Sequence, residues 1–354
     1  MENLTAKHYG ITAQQLQQAA AEGLVAARIL LQEKGAYRVA LAADDGVAEK
    51  AAEISGKFRY QALTAADFPA VGDYVLVDAN PHGDAAIIHR LLPRRSCFIR
   101  KAAGDARKEQ VVAANVDTLL LCMSLNNDFS LRRLERYLSI GWESGALPVI
   151  VLTKSDLCRD LADKLMAVED IAVGVDILLT SALETDGWKA LLPYLREGRT
   201  AAFIGSSGVG KSTLINRLLG GELLATGGLR NDDKGRHTTT HRQLMLLPAG
   251  GMVIDTPGMR ELGMWDAAEG IDRTFADVEA LTQNCRFADC SHSGEPGCAV
   301  QAALDAGELA EERWLSYQKL KAENAYAEDS ESYLIAKERK FKDIAKQVKQ
   351  LKKR

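Results

Sequence analysis

Several features that define whole classes of protein are missing from this sequence of 354 residues. No apolar run reaches the roughly 20 residues that a helix needs to span a bilayer, so we expect no membrane partner. Residues 1–10 lack the charged and then apolar pattern of a secretory signal peptide, so we expect a cytoplasmic protein. The chain also has no internal repeat and no low-complexity tract, which predicts ordinary globular domains.

Cysteine is scarce and unevenly distributed. Three of the six cysteines are scattered and three lie close together near the end: Cys97, Cys122, Cys158, Cys285, Cys290 and Cys298. A disulfide framework would need a more regular set, so this distribution indicates a reducing compartment and a metal site.

The first part of the chain changes from a helical to a β pattern. Thr12 and Gln15 have the spacing of a helix capping box, and Gly23 matches the helix stop. Turn signals then separate five β-like runs: Val25–Leu31, Tyr37–Leu41, Ala51–Ile54, Tyr74–Val77 and Ala85–Leu91. Five short strands in about 70 residues predict a small barrel such as an OB-fold, and an unrelated small β-domain is the alternative.

The middle of the chain has the apolar runs of buried parallel strands. These runs are Val116–Met123, Pro148–Thr153, Ala201–Ile204 and Met252–Ile254. A basic segment precedes them, with six lysines or arginines and one acid between residues 93 and 108. We therefore expect a basic linker, placed at residues 98–112.

A phosphate-binding loop follows the third of these strands. The sequence Gly205, Ser206, Ser207, Gly208, Val209, Gly210, Lys211, Ser212 matches the GxxxxGK[ST] pattern, and the helix-like Thr213–Leu219 follows it. The glycines let backbone N–H groups turn toward phosphates, and the helix N-terminus favours negative charge. Lys211 is expected to contact the β- and γ-phosphates as a catalytic residue, and Ser212 to bind Mg²⁺.

Two further boxes indicate that the base is guanine. Thr153, Lys154, Ser155 and Asp156 match the [NT]KxD box of GTPases, in which the aspartate accepts from the base and the lysine stem covers its ring. Thr180, Ser181 and Ala182 match the SA box, whose backbone contacts the guanine oxygen. Thr153 stands where asparagine is commoner, so we expect weaker anchoring of the base or the loop.

Two switch elements come next. Asp255, Thr256, Pro257 and Gly258 match the DxxG box, which holds Mg²⁺ through water and contacts the γ-phosphate. A threonine of the preceding stretch is expected to close over Mg²⁺, with Thr239 favoured and Thr238 or Thr240 as alternatives.

Residue 259 is methionine, where many GTPases carry the glutamine that orients the attacking water. His237 is the nearest candidate for this catalytic role, and a loop histidine without a role is the alternative. Hydrolysis is therefore expected to be slow, or to depend on another residue or a partner.

The order of the boxes differs from that of an ordinary GTPase. Here the base boxes at 153–156 and 180–182 precede the phosphate loop at 205–212, the switch at 235–241 and the DxxG box at 255–258. Permutation at exposed loops preserves a core, so the boxes can still belong to one GTPase fold. The switches then lie directly before the last domain, where nucleotide state can be coupled to it.

The last part of the chain carries a metal-ligand pattern. Cys285, Cys290, His292 and Cys298 supply three thiolates and one imidazole, a full tetrahedral set for one structural Zn²⁺. Four protein ligands leave no open coordination position, so we expect no catalytic role for the ion. Buried cysteines with an incidental histidine are the alternative.

A basic helix is predicted at the C-terminus, although the formal net charge of the chain is −4. Residues 337–354 hold nine lysines or arginines and two acids, with apolar residues at helical spacing. Such a face is often only solvated. Together with the predicted barrel and the basic linker, it favours RNA as a partner.

These motifs resemble the RsgA (YjeQ) family of bacterial small-ribosomal-subunit biogenesis GTPases over nearly the whole chain. The resemblance rests on TKSD, TSA, GSSGVGKST, GRHTTT, DTPG and the Cys/His cluster, in this order. It implies a multidomain α/β protein with an N-terminal OB-fold β-barrel, a circularly permuted P-loop GTPase domain and a C-terminal helical zinc-binding domain. Its switch histidine and threonine correspond to His237 and Thr239. We place the helix and barrel at 1–97, the GTPase domain at 113–265, and the zinc-binding domain with the basic helix at 266–354.

The resemblance also implies a function. The protein is expected to bind GTP and GDP with Mg²⁺, and to bind the 30S subunit and its 16S rRNA as a monomer, without DNA. It is expected to hydrolyse GTP slowly alone and faster with the subunit during late maturation. The alternative is an RNA-binding scaffold with a purely structural nucleotide site. A P-loop ATPase or kinase is disfavoured by Asp156.

Overall fold

A computed structural model describes residues 4–33, 35–43, 46–80, 83–102, 105–181, 186–221, 243–255 and 268–325. Side chains are described for these residues except 100–109 and 255. Within these ranges, no helix has the length and apolar character needed to cross a membrane.

The N-terminal helix and the five strands expected from the sequence are present. Helix α1 (Ala13–Ala21) begins with the capping box of Thr12 and Gln15, and Gly23 has a φ of 68°. The strands are β1 (Val25–Gln32), β2 (Tyr37–Ala43), β3 (Gly46–Ile54), β4 (Tyr74–Asp78) and β5 (Ala85–Leu91), with α2 (Gly56–Gln61) between β3 and β4. They pair in the order β1-β2-β3-β5-β4, and β4 pairs back to β1, so the barrel is closed. The prediction of a small OB-like barrel is confirmed.

The segment expected as a linker has regular structure. Strands β6 (Cys97–Ala102) and β7 (Asp105–Ala114) form an antiparallel hairpin. Phe98, Val112 and Ala113 are buried in the largest hydrophobic core. The charges of this segment predict a linker, whereas these apolar residues near its two ends are buried and anchor it as a hairpin.

A mostly parallel sheet follows the hairpin. Its strands are β8 (Thr118–Ser124), β9 (Leu147–Thr153), β10 (Ile177–Leu179), β11 (Thr200–Ile204), β12 (Gln243–Leu246) and β13 (Met252–Asp255). They lie in the order β10-β9-β8-β11-β13-β12, and only β12 is antiparallel to its neighbour in this part of the sheet. The accompanying helices are α3 (Leu131–Glu143), α4 (Leu161–Ile171) and α5 (Lys211–Leu219). The carboxyl ends of the five parallel strands therefore share one edge.

Arg28 links the barrel to this sheet. Its side chain is fully buried and donates to the Tyr9 carbonyl at 2.8 Å and to the Thr200 hydroxyl at 2.8 Å. It also donates to the carbonyls of Gly72 and Asn115, and its guanidinium stacks over the Tyr74 ring. Arg28 of the barrel therefore contacts the segment before α1, the residue that follows the hairpin and the first residue of β11.

The described C-terminal part is helical. It contains α6 (Ala268–Thr274), α7 (Ala276–Gln283), α8 (Ala299–Ala306) and α9, which covers 311–325. These helices enclose a core of their own around Ile271, Phe275, Val300 and Trp314. Helix α6 packs closely on α3, because a Cβ atom at Gly270 would lie 2.1 Å from the Ser139 carbonyl oxygen.

Candidate functional site

The GxxxxGK[ST] loop connects β11 to α5 in a conformation that depends on glycine. Gly205, Gly208 and Gly210 have φ values of 155°, 72° and 109°, a region that favours glycine. A Cβ atom at Gly205 would lie 2.6 Å from the Cys122 carbonyl oxygen, so the loop packs directly on the end of β8. Gly210 is the N-cap of α5, which places Ser212 and Thr213 in the first turn of that helix.

Lys211 is directed back toward the start of the loop. Its Nζ donates to the Gly205 carbonyl at 2.6 Å and to the Ser206 carbonyl at 2.7 Å. The two bonds hold the ammonium group within the ring of backbone that the sequence assigns to phosphates. Ser207 and Gly208 are exposed, whereas Val209 is buried.

The TKSD box is tied to this loop by a hydrogen bond. Thr153, the last residue of β9, is 3% exposed, and its Oγ1 donates to the Val209 carbonyl at 2.6 Å. Threonine in place of asparagine predicts weaker anchoring of the base or the loop, yet the Thr153 hydroxyl bonds directly to the loop. Lys154 follows with a φ of 59°, a turn that carries the chain away from the strand.

The two base boxes also contact each other. The backbone N–H and the hydroxyl of Ser155 both donate to the Thr180 carbonyl, at 3.3 and 3.2 Å. Ser181 is buried, and Asp156 lies exposed in a short 3-10 turn, Ser155–Leu157. The structure therefore brings the phosphate loop and the two base boxes together at one edge of the sheet.

The DxxG box begins beside the phosphate loop. Strand β13 ends at Asp255 and runs parallel to β11, with Ala202 opposite Ile254. The backbone of Asp255 therefore lies next to the strand that enters the loop. The other expected site residues, Ala182, His237, Thr239 and Gly258, lie outside the described residues, as does Met259.

Asp128 is a neighbour of the loop that the motifs did not include. It lies between β8 and α3 and accepts a short hydrogen bond from the Ser206 hydroxyl. Arg133 donates to the same carboxylate at 2.8 Å. The bond from Ser206 and the guanidinium of Arg133 lower the pKa of Asp128. The sequence does contain one signal that could have identified Asp128. The residue follows the carboxyl end of a buried parallel strand, and ligands of such sheets bind at that end.

The four expected metal ligands lie together in the C-terminal part. The ligand atoms of Cys285, Cys290, His292 and Cys298 are all within 4.8 Å of one another. The Nδ1 of His292 is 3.5 Å from the Cys285 sulfur and 3.6 Å from the Cys298 sulfur, and these two sulfurs are 4.0 Å apart. In a tetrahedral zinc site with sulfur and nitrogen ligands, neighbouring ligand atoms lie about 3.5–3.8 Å apart, as follows from the usual Zn–S and Zn–N bond lengths. The donor set and its spacing fit zinc.

Neighbouring groups orient these ligands. The rings of Trp314 and His292 pack edge-on, with 5.4 Å between their centroids. Cys298 is the N-cap of α8, and its sulfur accepts from the backbone N–H of Gln301 at 3.4 Å. This bond holds the Cys298 sulfur at the start of α8.

Comparison with known proteins decides the family. Residues 91–265 match the family model described as RsgA GTPase. The protein named Small ribosomal subunit biogenesis GTPase RsgA 2 from Lactiplantibacillus plantarum is 50% identical over 320 residues, which are 90% of this chain and 89% of that protein. The protein named Small ribosomal subunit biogenesis GTPase RsgA from Opitutus terrae is 49% identical over 318 residues, which are 87% and 86% of the two chains. The chain belongs to the RsgA GTPase family.

Solved structures place this RsgA family member among permuted GTPases. YjeQ from Thermotoga maritima is 27% identical with a TM-score of 0.62, and the match covers 84% of this chain and 97% of that chain. YloQ, described as a circularly permuted GTPase, is 27% identical with a TM-score of 0.61, covering 85% and 94%. The permuted order of boxes read from the sequence therefore has counterparts of known structure.

Proposed function

We propose that this protein hydrolyses GTP to GDP and phosphate and assists late maturation of the small (30S) ribosomal subunit, which stimulates the hydrolysis. The hydrogen bond from Thr153 to the Val209 carbonyl carries the GTP assignment, because it joins the base-reading box to the phosphate loop in one site. The names of relatives about half identical in sequence support the ribosomal role.

Each box has a distinct part in this proposal. Asp156 accepts hydrogen bonds from guanine, the stem of Lys154 covers the base, and the backbone of Ser181 and Ala182 contacts the guanine oxygen. The loop from Gly205 to Thr213 surrounds the phosphates, and Lys211 acts as the catalytic cation on the β- and γ-phosphates.

Mg²⁺ accompanies GTP in this proposal. Ser212 and Thr239 would bind it directly and Asp255 through water, and the bound ion would neutralise charge on the phosphates. Oxygen donors of this kind suit Mg²⁺, and Ser212 lies in the first turn of α5 beside Lys211. Gly258 contacts the γ-phosphate, and His237 orients the attacking water, which Met259 cannot do.

The C-terminal part is proposed to be a helical zinc-binding domain. One structural Zn²⁺ would be held by Cys285, Cys290, His292 and Cys298, whose spacing fits tetrahedral coordination. The ion would cross-link the loop before α8 to the end of α7 and leave no position for a substrate.

The proposed partners are GTP or GDP and the 30S subunit with its 16S rRNA, bound by a monomer in the cytoplasm without DNA or membrane. The closed barrel and the basic C-terminal residues are the surfaces expected to contact rRNA. GTP would order the glycine-rich switch at 227–241 and favour subunit binding, and hydrolysis would release the protein.

The decisive experiment measures GTP hydrolysis with and without intact small subunits. The proposal predicts a rate that rises on adding subunits, and an unchanged rate would overturn it. Lys211→Ala distinguishes this proposal from an RNA-binding scaffold with a purely structural nucleotide site. A variant that is no longer released from the subunit supports the nucleotide switch, whereas a change in melting temperature alone supports the scaffold. Competition between GTP and ATP tests guanine selection, and equal binding of ATP would overturn it.

A further inference from the structure

The carboxylate of Asp128 lies beside the phosphate loop on a segment that belongs to none of the nucleotide motifs. It accepts a hydrogen bond from the hydroxyl of Ser206, the second residue of the loop. Its other oxygen accepts from Arg133 at 2.8 Å. A side chain outside the loop therefore restrains a residue within it.

Ser206 is also in contact with the lysine of the loop. Its carbonyl oxygen accepts from Lys211 Nζ at 2.7 Å. Asp128 thus holds Ser206 by the side chain, and Ser206 holds Lys211 by the main chain. We propose that Asp128 is a positioning residue for GTP hydrolysis, which orients Lys211 through Ser206.

The loop needs such a restraint because of its composition. Glycines have the largest conformational freedom of any residue, and the loop has glycines at 205, 208 and 210. Asp128 is itself held in place, since its backbone N–H donates to Oδ1 of Asn126 at 3.1 Å. The Ser124 hydroxyl donates to the same Oδ1 atom at 2.8 Å. The segment that follows β8 therefore restrains Ser206, and the glycine-rich backbone of the loop does not have to.

Charge sets the choice of variants. The low pKa of Asp128, caused first by the bond from Ser206, keeps the carboxylate ionised at neutral pH. An anion beside the phosphates is unfavourable unless it is compensated, and Arg133 supplies the opposite charge. Asp128→Asn keeps an oxygen that can accept from Ser206 and removes the charge, whereas Asp128→Ala removes both.

This inference rests on the GTP hydrolysis proposed above, and its test needs no ribosomal subunits. GTP affinity and single-turnover hydrolysis are measured on the full chain for Asp128→Ala, Asp128→Asn, Ser206→Ala and the double alanine variant. We expect each single alanine variant to lower the rate at saturating GTP about tenfold, the loss typical of a charge-assisted hydrogen bond. The double variant should lose no more than either single one, and Asp128→Asn, which keeps a weaker neutral hydrogen bond, should lose about threefold.

Asp272→Ala is the matched control, because it removes a half-exposed carboxylate paired with Lys321 at 2.6 Å, away from the loop. Rate losses that multiply in the double variant would show that Asp128 does not act through Ser206. A lower melting temperature with an unchanged rate at saturating GTP would show a merely structural role. Either result overturns the inference. Absent stimulation by subunits would overturn only the ribosomal role.

Discussion

Arg313 and Glu135 form an ion pair between the C-terminal helix α9 and helix α3 of the GTPase sheet, with 2.8 Å between nitrogen and oxygen. Glu135 is 3% exposed, and the Ser316 hydroxyl donates to its second oxygen. Burial raises the pKa of Glu135, while Ser316 and Arg313 oppose this shift. Arg313 also pairs with Asp277 at 2.6 Å. Arg313 therefore joins helices α7 and α9 of the C-terminal part to helix α3, which begins three residues after Asp128.

This pair predicts a large effect of Arg313→Ala on stability. Removing the arginine takes the ion-pair partner from a buried carboxylate and leaves it the hydrogen bond from Ser316, which typically costs about 3–5 kcal/mol. Urea unfolding should show the loss. Arg136→Ala is the control, because its pair with Glu323 at 2.9 Å is about one-third exposed on both sides and should contribute about 1 kcal/mol or less. Equal losses in both variants would contradict the prediction.

The hydrogen bond between Thr153 and the phosphate loop predicts that two substitutions of Thr153 differ in stability and GTP affinity. Thr153→Val keeps the shape of the side chain but leaves the Val209 carbonyl without its hydroxyl donor, which should cost about 1–3 kcal/mol of stability. GTP affinity should fall with it, because the base box and the loop are no longer joined. Thr153→Ser keeps the hydroxyl and should bind GTP nearly as the parent does. Fluorescence titration compares the two, and similar affinities for both variants would refute this reading.

Arg28 predicts a loss of stability without a loss of nucleotide binding. Arg28→Met leaves the carbonyls of Tyr9, Gly72 and Asn115 without this donor, and breaking such a buried network should cost about 3 kcal/mol or more. Arg28 contacts Thr200 at the start of β11, whereas the phosphate loop follows the other end of that strand. GTP affinity below the unfolding transition should stay at the parental value. A variant with the parental melting temperature would show that the network contributes little.

The Cys/His cluster predicts a metal-dependent C-terminal unit. The purified protein should contain about one equivalent of zinc, as a four-ligand site requires. Cys290→Ser should lose the metal and make α7, α8 and α9 sensitive to protease, because the ion cross-links the loop between the first two helices. Cys158→Ser, outside the cluster, should retain both zinc and protease resistance. A metal-free parental protein that resists protease equally would rule out a structural zinc site.

Local patterns in the sequence were enough for much of this architecture. The capping box at Thr12, the five barrel strands and the strand-loop-helix around Lys211 follow from short-range rules of turns, caps and periodicity. The hairpin at 97–114 did not follow from such rules, because its charged middle hides the buried residues near its ends. Asp128 was missed for a related reason: a single aspartate carries no pattern, and its role comes from a contact with Ser206.

The sequence alone determined which chemical groups this protein has: a phosphate loop, a guanine box, a DxxG box and four metal ligands, in permuted order. Each of these is a local motif, so spacing along the chain identifies it. Only the tertiary structure decided which groups meet. Thr153 joins the Val209 carbonyl, Asp128 joins Ser206, and Glu135 joins Arg313. These contacts bridge residues 56, 78 and 178 positions apart, and such pairings arise from the packing of strands and helices rather than from local sequence.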